Sequence, residues 1–209
     1  MICARMFPLT ESPNYEPTLM DSLLVRAKQQ GITPLLAIYD YMAQGDGSQL
    51  IYFPIFNYNE GNLKVVEQML HHPRALMGLS DAGAHVGTIC DASFSTFMLT
   101  HWARKGAADA PFTVEQAVHI LSGRNAAYFG LQDRGLIKEG MRADFNLIDP
   151  SRLALNKPHI VRDLPAGGRR LLQQASGYLG TWVAGQCVQR EGTITAARPG
   201  RLVRMGQSF

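Results

Sequence analysis

Cysteine is scarce in this 209-residue sequence: Cys3, Cys90 and Cys187 are odd in number, widely spaced and in no Cys-x-x-Cys pair. That argues against a disulfide framework and a thiolate zinc site, and reduced thiols point to the cytoplasm. No run of about 18 uncharged apolar residues occurs, so a membrane-spanning helix is not expected. Met1–Pro8 lacks the apolar core of a signal peptide, and a leader is not expected either. Charge of either sign is thin: 20 basic and 17 acidic residues leave a net +3, too weak a field to imply a nucleic-acid partner. The sequence has no Gly-x-Ser-x-Gly elbow, which removes a serine α/β-hydrolase, and no internal repeat.

What is present is the composition of a globular chain, with 46% hydrophobic and 9% aromatic residues. Residues 1–16 are rich in proline and polar groups and read as a loop or linker. Thr18–Gln30 is amphipathic and stops at Gly31. Thr33-Pro34 then pairs an N-cap with a first-turn proline, opening a second helix to about Gln44. Leu50–Phe56 is a continuous apolar run that reads as a buried parallel strand ending in the polar loop from Asn57 to Gly61. A helix from Asn62 to His71 leads to a second short apolar run, Ala75–Ser80, ending at Asp81. Strand, loop, helix, strand is the rhythm of a parallel α/β sheet, whose chemistry sits just beyond the strand C-termini.

Ser93–Lys105 is a further amphipathic helix. Thr113-Val114-Glu115-Gln116 is a capping box, and Gly123–Phe129 is helical up to Gly130. After about residue 140 the texture turns to strands: Ala143–Pro150 alternates, and Thr181–Val183 with Cys187–Gln189 flank a hairpin turn. Residues 151–178 show little periodicity and read as a long loop. Two parallel strands are too few for a stable sheet, so the α/β portion reads as incomplete.

Several strings, taken in order, resemble one family. They are Gly78-Leu79-Ser80-Asp81-Ala82-Gly83-Ala84-His85, then Phe112–Val118, then Gly123-Arg124-Asn125-Ala126-Ala127 through Leu131. The series continues from Asp133-Arg134-Gly135 through Gly140 and Ala143-Asp144 to Asp149-Pro150, and ends with Trp182–Val188 and Ala197–Arg201. Over roughly residues 7–204 the chain resembles the metal-dependent amidohydrolases, in the D-aminoacylase (N-acyl-D-amino-acid deacylase) branch.

The resemblance implies an α/β fold, the terminal units of a (β/α)8 TIM-like barrel plus the C-terminal strands of a small β-sandwich. Residues 17–140 would be the barrel units and 141–209 the sandwich strands and basic tail. It also implies a zinc-dependent enzyme that hydrolyses the N-acyl amide bond of N-acyl-D-amino acids or similar small molecules. At the family position, Asp81 is metal ligand and proton shuttle; His85, Asn57 and Tyr58 are candidates for holding substrate. The family's His-x-His pair is missing here, since none of the six histidines stands two residues from another. The alternative is therefore a non-catalytic fragment or split subunit, one that self-associates or needs a partner chain carrying the rest of the barrel and its metal site.

Overall fold

A computed structural model describes residues 2–78, 80–81, 87–104 and 107–204. Along the chain run β1 (Phe7–Pro8), α1 (Leu23–Gln30), α2 (Pro34–Met42), β2 (Ile51–Tyr52) and α3 (Lys64–His71). Next come α4 (Phe94–Phe97), continued by a wider π turn over Met98–Trp102, then α5 (Val114–Leu121) and α6 (Gly123–Tyr128). The strands β3 (Phe145–Ile148), β4 (Ala154–Leu155), β5 (His159–Leu164), β6 (Gly168–Leu172) and β7 (Ala175–Ser176) follow. The last are β8 (Tyr178–Val183), β9 (Gln186–Arg190) and β10 (Thr193–Ile194). Two compact units emerge. The first takes the described residues of Met1–Ala75, Val86–Thr88 and Asn156–Leu172; the second takes those of Leu76–His85, Ile89–Leu155 and Gln173–Phe209.

In the first unit, local chemistry sets the helix ends. Ser22 and Thr33 each turn a hydroxyl back to accept from the third residue on, Val25 N and Leu36 N, both at 3.3 Å. Gly31, at φ 67°, closes α1. Leu23 and Ala27 of α1 and Ala37 and Tyr41 of α2 are buried with Phe7, Leu9 and Tyr58. The Tyr41 hydroxyl lies 3.2 Å from the Leu50 carbonyl, which also accepts the Leu9 amide at 3.0 Å. The N-terminal residues read as a loop thus carry a strand and part of the core. The opposite face of α2 is open: Leu35 is 76% and Tyr39 69% exposed.

The second unit pairs a helical layer with a four-stranded antiparallel sheet in the order β10-β9-β8-β3. The capping box forms as read, Thr113 N donating to Gln116 Oε1 at 2.8 Å and Gln116 N to Thr113 Oγ1 at 3.2 Å. Met98, Trp102, Phe112, Ala117, Ile120 and Ala126 are buried among the helices. Thr96 of α4 and Tyr178 of β8 share a hydroxyl–hydroxyl bond of 2.8 Å. Phe145 stacks on Trp182 across β3 and β8, ring centres 4.9 Å apart.

Three local expectations are corrected. The apolar run Leu50–Phe56 yields only the two-residue β2, paired antiparallel with β1, and Ile55 and Phe56 are exposed. Pro54 supplies no donor to continue the ladder, which accounts for the early stop. Leu76–Gly78, Ser80 and Asp81 join no strand, and every strand pair among the described residues is antiparallel. Residues 151–178 are not one long loop. They contain the β5–β6 hairpin, clasped by Arg170 and Asp163 through two bonds of 2.7 Å, and the β4–β7 pair. The chain mixes helices and sheet, as read.

Candidate functional site

Asp81 stands in the second unit, on a stretch without regular structure, with its side chain exposed. Its φ is 49°, a left-handed value that a non-glycine residue adopts at a cost. Such conformations gather at sites where a side chain must be aimed.

A second carboxyl feels its charge. Asp91, at the start of the turn that leads into α4, has its carboxyl pushed above the ordinary aspartate range. Although Asp91 as a whole is exposed, desolvation of the carboxyl is the larger cause and the charge of Asp81 the second. Like charges nearby disfavour the ionised form, which is the sense of the Asp91 shift. The sequence favours a structural role for Asp91 over a chemical one. Cys90 beside it is pushed up by burial first and by Asp91 second, which keeps it a thiol and unsuited to nucleophilic attack.

Asn57 and Tyr58 belong to the first unit. Asn57 is exposed at φ 59°, while Tyr58 is fully buried. The Tyr58 hydroxyl donates to the Pro17 carbonyl at 2.6 Å, and burial, with Glu16 and Asp21 nearby, pushes it up to about 12. Its ring meets Phe7 edge-on at 6.3 Å. In this arrangement Tyr58 anchors the loop that presents Asn57. His85 lies outside the described residues. His101 stacks on Phe97 at 4.5 Å and meets Trp102 edge-on, a packed aromatic cluster.

A hydrolytic metal needs three or more protein donors around an open position. Among the described residues no group of three His, Cys, Asp or Glu side chains is placed to hold one. The described residues therefore do not form a metal cage by themselves; an exposed aspartate suits the role of one ligand in a larger set.

Residues 62–189 match the model of the amidohydrolase family. That stretch is more than half of the chain, and it holds Asp81, Asp91 and every ordered string except the last, Ala197–Arg201. The chain belongs to the amidohydrolase family.

Several known proteins are similar to it. An uncharacterized protein of Mycobacterium tuberculosis, Rv2913c, is 31% identical over 128 residues, which is 61% of this chain and 20% of that protein. The N-acyl-D-aspartate deacylase of Alcaligenes xylosoxydans xylosoxydans is 32% identical over 97 residues, 46% of this chain and 18% of its own length. Among solved structures, a D-aminoacylase described as having a binuclear metal center superposes with a TM-score of 0.52 at 23% identity, over 97% of this chain and 38% of that one. A second, described as defining a novel subset of amidohydrolases, gives 0.51 at 23% identity over 98% and 39%. The chain thus spans about a fifth of the curated relatives and under two fifths of the solved D-aminoacylase chains. Among the described residues, no helix is long and apolar enough to cross a membrane.

Proposed function

We propose that this chain is the C-terminal portion of a zinc-dependent hydrolase that cleaves the N-acyl bond of N-acyl-D-amino acids or similar small amides. Residues 17–140 would supply the final barrel units and residues 141–209 strands of the appended sandwich. The reading rests on Asp81: an exposed carboxylate held at a left-handed φ, its charge felt by Asp91, inside the family match.

When bound, the metal would polarise the amide carbonyl and make its water acidic enough to deprotonate near neutral pH. Asp81 would be one ligand. Its own task is to accept the water's proton and return it to the leaving nitrogen, base and acid in turn. His85 and Asn57 would hold the substrate, with Tyr58 setting the Asn57 loop. Three free thiols favour a reducing compartment such as the cytoplasm.

A second reading follows from the metal donors. With no cluster of three among the described residues and no His-x-His pair, the chain would be a subunit completed by a partner that supplies the rest of the barrel. Both readings meet in one assay. The chain alone, and the chain extended by or co-expressed with the segment encoded upstream, are offered N-acetyl-D-amino acids with zinc. Turnover by the completed preparation, stereoselective and lost to a chelator, is expected. No amide hydrolysis in any completed preparation would overturn the proposal.

A further inference from the structure

The stretch that delivers Asp81 has no strand beside it among the described residues. One side chain of the second unit reaches it with a hydrogen bond. Asn125, in the middle of α6, donates Nδ2–H to the Met77 carbonyl at 2.8 Å, across 48 positions of sequence. The same nitrogen lies 3.4 Å from the Leu121 carbonyl, one turn back at the end of α5. Its Oδ1 is buried and has no hydrogen-bond partner among the described residues, an uncommon state for such an acceptor. A carboxamide carries a donor and an acceptor side by side in one plane, the pair that a backbone peptide offers to a neighbouring strand.

The mount for this side chain is stiff. A Cβ on Gly135 would come within 2.5 Å of Ala126 Cβ, and one on Gly123 within 2.9 Å of His119 Nδ1, so α6 touches its surroundings backbone to backbone. The loop it touches is fastened by Arg134, bonded to both oxygens of buried Asp133 and to Asp144. Met77 lies only four positions before Asp81 in the chain, so a shift at one has a short covalent path to the other.

We propose that Asn125 is a positioning residue for Asp81: by holding the Met77 carbonyl, its carboxamide fixes where the chain presents the Asp81 carboxylate. The inference rests on the reading of Asp81 given above. The string Gly123-Arg124-Asn125 would then serve the site from a helix that carries no reacting group.

Asn125→Ala removes the tether, and Asn125→Asp keeps the shape while losing the donor. Both are followed by methyl signals of 13C-labelled methionine. Met77 reports on the tethered stretch, and fully buried Met98 reports on the fold of the same unit. In both variants the Met77 signal is expected to move and narrow while Met98 stays. An unchanged Met77, or Met77 and Met98 moving together, would overturn the proposal. In the completed enzyme kcat is expected to fall by about 10- to 100-fold with KM within about twofold, the signature of a misplaced reacting group. Asp81→Asn separates the two layers. If it destroys turnover while both Asn125 variants stay within about twofold of wild type, Asn125 does not position the site. If it leaves turnover intact, the reading of Asp81 fails instead.

Discussion

Arg134 grips Asp133 with both arms of its guanidinium, Nε to Oδ1 at 2.9 Å and Nη2 to Oδ2 at 3.2 Å, and reaches Asp144 Oδ2 with Nη1 at 3.3 Å. Arg142 Nε adds a bond to the other oxygen of Asp144, which also accepts the Ala184 amide at 2.7 Å. One string, Asp133-Arg134-Gly135 to Ala143-Asp144, thereby joins the end of the helical layer to the β8–β9 turn.

The clasp has a pH signature. Hydrogen bonds from Arg134 first, then the charges of Arg134 and Arg142, hold the Asp133 carboxyl below its ordinary range. A carboxyl lowered in the folded state adds stability above its unfolded pKa of about 4, and that stability is lost as pH falls toward the folded value. Arg134→Gln should therefore lower the melting midpoint at pH 7, with the gap to wild type closing below about pH 4. Thermal melts from pH 2.5 to 7 check this; a gap independent of pH would remove Asp133 ionisation from the account.

Gly135→Ala should cost about 2–4 kcal/mol, combining a disfavoured left-handed backbone with an unavoidable contact on Ala126. Gly140 is the control: its φ is also positive, at 82°, but a Cβ there meets nothing within 4 Å. Gly140→Ala should cost about 1–2 kcal/mol, and denaturant melts of the two variants separate crowding from conformation.

Asp81→Asn in the completed enzyme keeps the size of the side chain but cannot take a proton. Turnover should fall by about 10²–10⁴-fold with KM little changed. Steady-state kinetics decide it, and a variant within about threefold of wild type takes Asp81 out of the mechanism.

The isolated 209-residue chain should bind a hydrophobic dye and sediment as more than a monomer. Leu35, Tyr39 and Met42 recur along one face of α2 and are exposed, as is Phe56 at 80%. Leu35→Lys with Tyr39→Lys should cut dye binding by more than half. A compact monomer that binds no dye would show that this face needs no cover.

Much of this architecture was legible because its signals are local. Thr33-Pro34, the Thr113–Gln116 box and the Ala184-Gly185 turn each fix their own neighbourhood through a hydrogen bond or a backbone preference, and each formed where it was read. The misreadings share a cause: a continuous apolar run reports burial and not its partner. Leu50–Phe56 gave no hint that Phe7–Pro8 would pair with it, or that Pro54 would end the ladder so soon. The β5–β6 hairpin was missed because Pro165, Gly167 and Gly168 broke the alternation that marks a strand. At the site, Asp81 was legible from its string, whereas Asp91 and Asn125 become visible only once the chain has folded back over 10 and 48 positions.

The first unit is discontinuous, and that sets a clock. Its later piece is Asn156–Leu172, the β5–β6 hairpin with the residues leading into it, where Lys157 Nζ lies 3.0 Å from Glu11 Oε1 and 3.4 Å from Gln49 Oε1. On the ribosome, residues up to 75 emerge well before their closing piece, a wait on the order of 10 s at ordinary elongation rates. During that interval α1 and α2 can already pack with Phe7, Leu9 and Tyr58, whereas Glu11 and Gln49 wait for Lys157. Translation speed across residues 76–155 therefore sets how long Glu11 and Gln49 stand without Lys157.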